Sequence, residues 1–519
     1  MPSFVLRNKV VERSRSCFVI LFLTLTLTAC RSNIDKDLIR YGLDSMPVKL
    51  DPREATDATS YRINRLLYSA LVDFDNSSKF IPGLASWQLI NPTHYRFVLN
   101  QKRQPFHTGE KLTASDVKAT YDWILDKENG SPHRQTLSII SEIKVVDLET
   151  VDFILNNPDP LFPAYLVIGI MPQKLISSAY DFNANPVGSG TFRYRSRPDP
   201  NTLKLERVRD KQVFEFIRIP SPEVRVMKLM RGEIDILQNG LMPELKRFLA
   251  KKGRASVSYL EGSDFAYLGF NLEDKVVGQL KVRQAIGFAI DREAILQNLY
   301  GGQEKLATTF FPAEHWLGNP AIKPTQYDPK RAKKLLKELG YSPDKPLELS
   351  YKTSTNPFRI RVATVIQDQL RQVGINMAIQ SFDWGTFYGD IKAGRFQMYS
   401  LKWVGIKTPD IFEYVFHSKS IPPSGANRGR YTNQQVDQLI DSAKTFDDLD
   451  DRLEVFRNIQ QLVFDDMAYV PLWYEGHFAA TTNDLIGYRL TADGNYDSLN
   501  YVERKVNRMV KRKVERTNN

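Results

Sequence analysis

The histidines and cysteines are the side chains best suited to metal binding or nucleophilic chemistry in this chain. Its 519 residues include six histidines and two cysteines. The sequence contains no His-Glu-x-x-His pair, no Gly-x-Ser-x-Gly elbow, no Walker A motif and no dinucleotide-binding fingerprint. A Ser-His-Asp set assembled from distant positions stays open. The absence of local signatures favours a binding protein over an enzyme, with no catalytic residues, no cofactor and no metal.

His107 is the histidine that most invites a metal or catalytic interpretation. It has no second histidine or cysteine three or four residues away, so a structural histidine in a turn is favoured. It stands in Pro105–Val117, where a strand precedes a glycine turn and then a helix start. Thr113 and Asp116 have the spacing of a capping box, which predicts that this helix begins just after Thr113.

The stretch Tyr267–Tyr300 predicts the strand, loop and helices around which the chain is organised. Its apolar residues take helical spacing from Val282 to Ile290. Asp291 has the position of an N-cap for a second helix, which Gly301 and its neighbouring glycine would end. By itself this pattern indicates only an ordinary strand-loop-helix core unit.

Further helices are predicted on either side of this stretch from apolar periodicity and terminal residues. Asp328 and Pro329 predict the start of one helix, and Gly340 its end. The predicted helical segments are Ser60–Val72, Tyr327–Tyr341, Asn356–Ile375, Asn433–Ala443 and Asp451–Phe464.

Length and charge bound the class of protein. A chain of 519 residues is too long for one ordinary core, so two or three domains are expected. The net charge of +11 is concentrated at the ends, with +3 in residues 1–29 and +5 in residues 503–519. The remaining +3 is spread over residues 30–502, so no body-wide nucleic-acid footprint is present.

The N-terminus has the pattern of a targeting segment. A basic region precedes the apolar run Cys17–Thr28, which suits a signal peptide better than a membrane span. Leu27–Cys30 resembles the bacterial lipoprotein box, which implies that Cys30 is lipidated after cleavage. A plain signal peptide or a short anchor is the alternative. Loss of Cys17 with the signal would leave no pair of cysteines for an intrachain disulfide.

Several segments resemble, in the same order, the extracytoplasmic solute-binding proteins of ABC importers, in the oligopeptide, dipeptide and nickel family. The resemblance extends from about Leu38 to about Tyr474, which is most of the mature chain. The segments that carry it are Leu50–Pro52, Phe80–Trp87, Pro105–Val117, Asn185–Phe192, Met227–Ile236, Tyr267–Ile295 and Val470–Tyr474.

The resemblance implies an α/β, two-lobed periplasmic-binding-protein fold of type II, in the three-domain oligopeptide-binder variant, with the ligand cleft between the lobes. Residues 1–29 would be the lipoprotein signal peptide and 503–519 a basic C-terminal tail. The first lobe would combine 30–72, 188–264 and 480–502, with 73–187 as its accessory domain. Residues 265–479 would form the second lobe.

The loop Trp403–Asp410 matches the segment in which peptide binders of this family hold the ligand's α-ammonium with an aspartate. Trp403 and Gly405 match the family pattern, and Trp403 is expected either to wall the cleft or to pack in the core. The aspartate position is Ile406, with Lys407 beside it, and Pro409-Asp410 reverses the family's order. The ligand's amine is therefore expected to be absent, blocked or held by another acid, for which Asp410 is the nearest candidate.

Two further residues are candidate ligand contacts by resemblance. Asn271 follows the strand that leads into the second lobe beside the cleft. Arg359 lies where some dipeptide binders place a partner for the ligand's carboxylate, although a solvated arginine on the helix surface is the simpler alternative.

The resemblance implies a substrate-binding lipoprotein of an ABC importer that delivers a peptide or peptide-like solute to a membrane permease. Because the chain has no Walker A motif, the ATPase and the pore would be separate chains. We expect a monomer on the extracytoplasmic side of the bacterial envelope, held to the membrane by its lipid and without nucleic acid. A ligand-sensing or scaffold lipoprotein of the same fold is the alternative, and an enzyme is the third. The basic tail could lie on an anionic membrane or stay solvated.

Overall fold

The computed structural model describes residues 38–505 except 76–77, 302–303, 343, 445 and 447. The signal segment, Cys30 and residues 506–519 of the basic tail lie outside the described residues. Within the described part of the chain, no helix combines the length and the apolar character needed to cross a bilayer.

The strands and helices alternate along most of the chain. The strands are β1 Leu38–Leu43, β2 Val72–Phe74, β3 Phe80–Pro82, β4 Ala85–Asn91, β5 His94–Leu99, β6 Ile140–Val145, β7 Thr150–Leu155, β8 Phe192–Asp199, β9 Thr202–Arg207, β10 Val213–Arg218, β11 Ile236–Gln238, β12 Ala255–Phe270, β13 Lys305–Leu306, β14 Leu347–Ser354, β15 Ile375–Phe382, β16 Met398–Trp403, β17 Tyr469–Thr482, β18 Leu485–Ile486 and β19 Glu503–Arg504. The α-helices are Ala58–Leu67, Ala114–Leu125, Arg134–Leu137, Gln173–Ser177, Pro222–Arg231, Pro243–Lys252, Leu280–Ala289, Arg292–Ile295, Pro329–Glu338, Pro357–Arg371, Trp384–Ala393, Asp410–Phe416, Gln434–Ala443 and Leu449–Asp465.

A sheet that has eleven strands among the described residues runs through both halves of the molecule. Its order is β15-β14-β16-β12-β17-β11-β1-β10-β9-β8, with β13 also paired to β17. We call the part built on β1 and β8–β11 the first lobe. In it β1 is parallel to β10 and β11, which are joined to it by long connections.

Two long antiparallel strands, β12 and β17, pass from the first lobe into the second. Ala255 pairs with Thr482 at one end, and Gly269 pairs with Tyr469 at the other. The register is irregular between Leu260 and Asp264, where β12 leaves the first lobe. A bulge bends the strand that carries it, so this point is suited to a change of angle between the lobes.

The second lobe is built on β13–β16 with the far ends of β12 and β17. Strands β14, β15 and β16 are parallel, so their carboxyl ends meet at one edge of the sheet, where Ser354, Phe382 and Trp403 are the last strand residues. In open α/β sheets this edge is the usual place for a ligand. The helix Leu280–Ala289 buries Val282, Ala285, Ile286 and Ala289 against this lobe, as its periodicity predicted.

A separate four-stranded antiparallel sheet, in the order β4-β5-β7-β6, forms the accessory domain. Its core includes Phe97, Val117, Tyr121 and Phe153, all fully buried. The helix Ala114–Leu125 packs on it and begins with the predicted capping box. The domain boundaries at 72, 187, 264 and 479 remain predictions from the sequence.

The glycine-rich loop at 185–192 returns the chain from the accessory domain to the first lobe. Gly190 donates its backbone N–H to the Leu67 carbonyl at 2.9 Å. A Cβ on Gly188 or Gly190 would lie 2.1 or 2.2 Å from a helix carbonyl, so only glycine allows this approach. His107 contacts the same loop through Nε2, 3.1 Å from the Gly190 carbonyl, and burial lowers its pKa. These contacts fit the structural histidine that the sequence favoured.

Candidate functional site

A cavity of about 540 Å³ opens where the first lobe, the accessory domain and a loop of the second lobe meet. A volume of this order is typical of sites for small ligands. The lining side chains are mostly apolar or aromatic. The residues that matter below are Tyr61, Asn64, Arg65, Tyr68, Asp73, His133, Tyr165, Thr408, Asp410 and Asp497.

One face of the helix Ala58–Leu67 and its C-cap supplies the first-lobe wall of the cavity. Tyr61, Asn64, Arg65 and Tyr68 follow one another at the i, i+3, i+4 and i+7 positions of a single helix stripe. The sequence analysis used this helix only for its apolar face. Its opposite stripe of aromatic and polar residues was the signal that could have revealed the wall.

Arg65 joins the accessory domain to the C-terminal segment of the first lobe. Its guanidinium donates to Asp73 at 2.9 and 3.0 Å and to Asp497 at 2.6 Å. The side chain of Arg65 is 18% exposed, and those of both carboxylates are 40% exposed. The arginine is therefore shared between two acids at the rim of the cavity.

The loop 404–410 brings the second lobe to the cavity. Gly405 has φ +69°, a left-handed conformation that favours glycine, and no atom lies within 4 Å of a Cβ built on it. Ile406 packs against the core of the second lobe, so its side chain is committed to packing. Thr408 and Asp410 line the cavity.

Lys407 makes a contact that spans three parts of the molecule. Its ammonium lies 2.6 Å from Asp493 of the first lobe and 4.7 Å from the ring centroid of Phe74 in the accessory domain. Burial alone would raise the pKa of Asp493, but the nearby Lys407 charge holds it well below its usual value. Burial and the same Lys407 charge lower the pKa of His315 to about 4.

Asp410 is the committed ligand candidate that lines the cavity directly. Its side chain is exposed to the cavity and accepts a hydrogen bond from the Thr408 hydroxyl. Burial by the surrounding protein raises its pKa, and the charges of Asp159 and Glu413 add to that shift. Among the described residues no cation lies within ion-pair distance of Asp410.

Trp403 ends β16 at the carboxyl edge of the second-lobe sheet. Its ring centroid lies 6.2 Å from Phe310 and 6.3 Å from Tyr414, and the Arg428 guanidinium lies 4.5 Å above it. The indole N–H is buried and has no hydrogen-bond partner among the described residues. The half-buried ring thus packs on the core without lining the cavity itself.

The structure adds an aromatic pair that the sequence analysis missed. Trp384 is 59% exposed and stacks on Tyr388 with the centroids 5.4 Å apart. The Tyr388 hydroxyl accepts from Arg428 at 3.1 Å, which links this pair to Trp403. The signal was available, because Trp384 and Tyr388 are four residues apart at the start of a helix that follows β15.

Arg359 lies away from the cavity, in an ion network where β12 and β17 cross between the lobes. It donates to Glu475 at 2.7 and 3.2 Å, while Lys402 lies 2.9 Å from both Glu475 and Asp264. Burial alone would raise the pKa of Glu475, but Arg359 and Lys402 hold it well below its usual value. The simple picture of a solvated helix-surface arginine is wrong, since Arg359 is tied into the crossing strands.

Asn271 also lies away from the cavity. Its amide group donates to the Gly394 carbonyl at 3.1 Å, and its carbonyl oxygen accepts the Glu273 N–H at 3.2 Å. Both ends of the side chain therefore hold the local loop. Of the five predicted ligand residues, Trp403, Gly405 and Asp410 lie on or beside one loop, and Arg359 and Asn271 lie elsewhere.

Two further contacts join the accessory domain to the second lobe. Arg452 forms an ion pair with Asp159, and their side chains are only 6% and 7% exposed. Trp316 donates its indole N–H to the Ser78 carbonyl at 2.8 Å. The lobes are therefore in contact in this structure.

Comparisons with known proteins place these features in context. The family model described as "Bacterial extracellular solute-binding proteins, family 5 Middle" matches residues 79–421. The "Dipeptide-binding protein" of Escherichia coli (strain K12) is 25% identical, over 92% of this chain and 97% of that one. A dipeptide binding protein from Pseudoalteromonas sp. SM9913 in complex with Met-Leu has a TM-score of 0.78 at 25% identity, covering 90% of this chain and 100% of that one. An ABC transporter substrate binding protein from Listeria monocytogenes has a TM-score of 0.82 at 22% identity, covering 90% and 99%.

Within the described residues, no group of three metal-ligating side chains comes together. The cavity instead combines aromatic walls, one shared arginine and an accessible carboxylate. Such an arrangement can hold a small solute by contact area and a few polar groups.

Proposed function

The chain belongs to family 5 of the bacterial extracellular solute-binding proteins, and we propose that it captures a peptide or peptide-like solute between its lobes for an ABC importer. The observation that carries the proposal is the cavity of about 540 Å³ at the meeting point of both lobes and the accessory domain. The relatives named for dipeptides support a peptide ligand. A family of binding proteins also supports the absence of catalysis.

Ligand capture would work through the equilibrium between open and closed forms. A solute in the cavity touches all three parts at once, so it binds the closed form better than the open form. The crossing strands β12 and β17 are the path along which the lobes would rotate. Permease subunits would then recognise the closed shape, with a separate ATPase chain. A monomer is sufficient for this role.

Mass spectrometry of the native protein, purified from its own cell envelope, tests the proposal. Release of a peptide or modified peptide from the folded protein is the expected result. A cavity that stays empty, together with no calorimetric response to a mixed di- and tripeptide library, would sink the import role. It would favour the sensing or scaffold lipoprotein.

We predict that Trp403→Ala weakens binding of the released solute at least tenfold, a loss of about 1.4 kcal/mol. Trp403 supports the loop that carries Thr408 and Asp410, and its ring closes the carboxyl edge of the second-lobe sheet. Isothermal titration calorimetry measures the effect. Tyr327→Ala, which removes a 43% exposed ring outside the cavity lining, is the control and should bind as the wild type does. Equal affinities of Trp403→Ala and wild type would contradict the role.

The lipid anchor and the envelope location are further proposals, supported by the sequence around Cys30. We predict that Cys30→Ala gives a soluble or unprocessed protein, because the thiol is the proposed site of diacylglycerol attachment. Intact-mass analysis and membrane fractionation check it. A wild-type protein that keeps an uncleaved, unmodified N-terminus would show that the anchor is wrong.

A further inference from the structure

We propose that the cavity selects solutes carrying a positively charged group, an ammonium or a guanidinium, and that Asp410 is its partner. This inference rests on the proposed function and specifies the chemical class of the solute. It does not need the loop position at Ile406, whose side chain packs against the second-lobe core.

The first step is the balance of charge on the cavity wall. The lining contains one arginine, Arg65, against the three aspartates Asp73, Asp410 and Asp497. His133 also lines the cavity, and burial lowers its pKa, so it is neutral near pH 7. At neutral pH the described lining therefore carries an excess of two negative charges.

The second step is to ask which carboxylate is available. Arg65 already serves both Asp73 and Asp497. Nearby acids outside the lining are also neutralised, Asp159 by Arg452 and Asp493 by Lys407. Asp410 remains as the accessible lining carboxylate that has no ion-pair partner in the described part of the chain.

A second, independent feature lies on the same wall. Asn64 and Tyr68 both line the cavity and are only 5% and 3% exposed. The amide oxygen of Asn64 and the hydroxyl oxygen of Tyr68 have no hydrogen-bond partner among the described residues. Buried polar oxygens are normally satisfied, so these two indicate a missing donor group. A cationic N–H group supplies both the charge that Asp410 lacks and donors for such oxygens.

The apolar part of the lining sets the rest of the solute. Tyr61, Tyr165 and Tyr501 add aromatic contact area around the carboxylate. Aromatic faces also attract cations, which reinforces the preference for a charged group over a neutral one. The fitting solute thus has a compact apolar body and one cationic end.

Two sources of the cation are chemically equivalent at Asp410, the terminal amine of a peptide and a basic side chain. Calorimetry with Ala-Lys-Ala, Ala-Met-Ala and their N-acetylated forms separates them, and agmatine tests a cation that is not a peptide. We expect acetyl-Ala-Met-Ala, which has no cation, to bind at least tenfold more weakly than Ala-Lys-Ala. Whichever singly charged peptide keeps the affinity identifies the source.

Asp410→Asn should remove this discrimination while leaving the neutral peptide's affinity unchanged. Glu413→Gln is the matched control, because Glu413 lies on the same helix but pairs with Lys444 outside the cavity lining. Asp410 also begins the helix Asp410–Phe416, where a carboxylate favours the helix dipole. That purely structural role predicts equal losses for charged and neutral probes.

The outcomes separate the inference from the proposed function. Peptide binding that is indifferent to charge overturns the inference and leaves peptide capture standing. Agmatine binding that depends on Asp410, without binding of any peptide, supports the inference and overturns the peptide ligand. Failure of all five probes overturns both.

Discussion

Replacing Asp159 with alanine is expected to open the molecule. The substitution removes the partner of Arg452 at the contact between the accessory domain and the second lobe, where both side chains are almost fully buried. An unpaired charge at such a place costs about 3–5 kcal/mol. Opening relieves most of this cost, because the guanidinium then returns to water. The closed form should therefore lose ground to the open form by a factor of a hundred or more.

Small-angle X-ray scattering of the unliganded protein measures the change as an increase in radius of gyration. Glu110→Ala is the control, since it removes an exposed ion pair with Lys174. Asp159 also accepts the Leu161 N–H at 2.9 Å, so Arg452→Met serves as a second variant that leaves this turn intact. Unchanged scattering in both variants would show that the pair does not hold the lobes together.

Elements with a local signal were predictable from the sequence. The helix Pro329–Glu338 begins after Asp328, whose carboxylate accepts the Arg331 N–H, and the chain turns at Gly340 with φ +84°. Each of these residues acts within one helical turn of its partner. Their identities therefore carry the structural information by themselves.

The predicted helix Ser60–Val72 shows where local pattern fails. The structure ends this helix at Leu67, and Val72 already belongs to β2. Residues 68–71 keep apolar side chains, but Ala70 pairs with Gly169 and the helix end is met by Gly190. These partners are about a hundred residues away, so periodicity could not reveal them. Tertiary contacts override the helical preference here.

The candidate site follows the same division. Asp410 was identifiable because the loop that carries it resembles a family segment. Arg65 and Asp497 are 432 residues apart, and their pairing depends on how the C-terminal segment returns to the first lobe. Arg359 was expected either to meet a ligand or to face solvent, and its partner Glu475 is 116 residues away. Ion pairs of this range depend on the three-dimensional fold alone.

The crossing strands give the last prediction, which concerns Glu475. This side chain is 13% exposed and is the only described anion within 4 Å of Arg359. It also lies 2.9 Å from Lys402, which Asp264 helps to neutralise. Glu475→Ala leaves Arg359 without a partner. We expect a loss of about 2–3 kcal/mol in the free energy of unfolding, less than for a fully buried pair because both cations are about one-third exposed.

The loss should depend on pH in a direction fixed by the pKa of Glu475. Its pKa is lower in the folded protein than in the unfolded chain, so the ion network stabilises the fold at pH values above the ordinary glutamate pKa of about 4.3. That stabilisation disappears as the pH falls through the lower, folded value. Urea unfolding at pH 7 and at pH 3 should therefore show a large difference between wild type and Glu475→Ala at the first pH and a smaller one at the second. Glu338→Ala, which removes an exposed pair with Lys281, should differ little from wild type at either pH. A difference for Glu475→Ala that is equal at both pH values would mean that lost packing, and not the charge of Glu475, holds the crossing strands together.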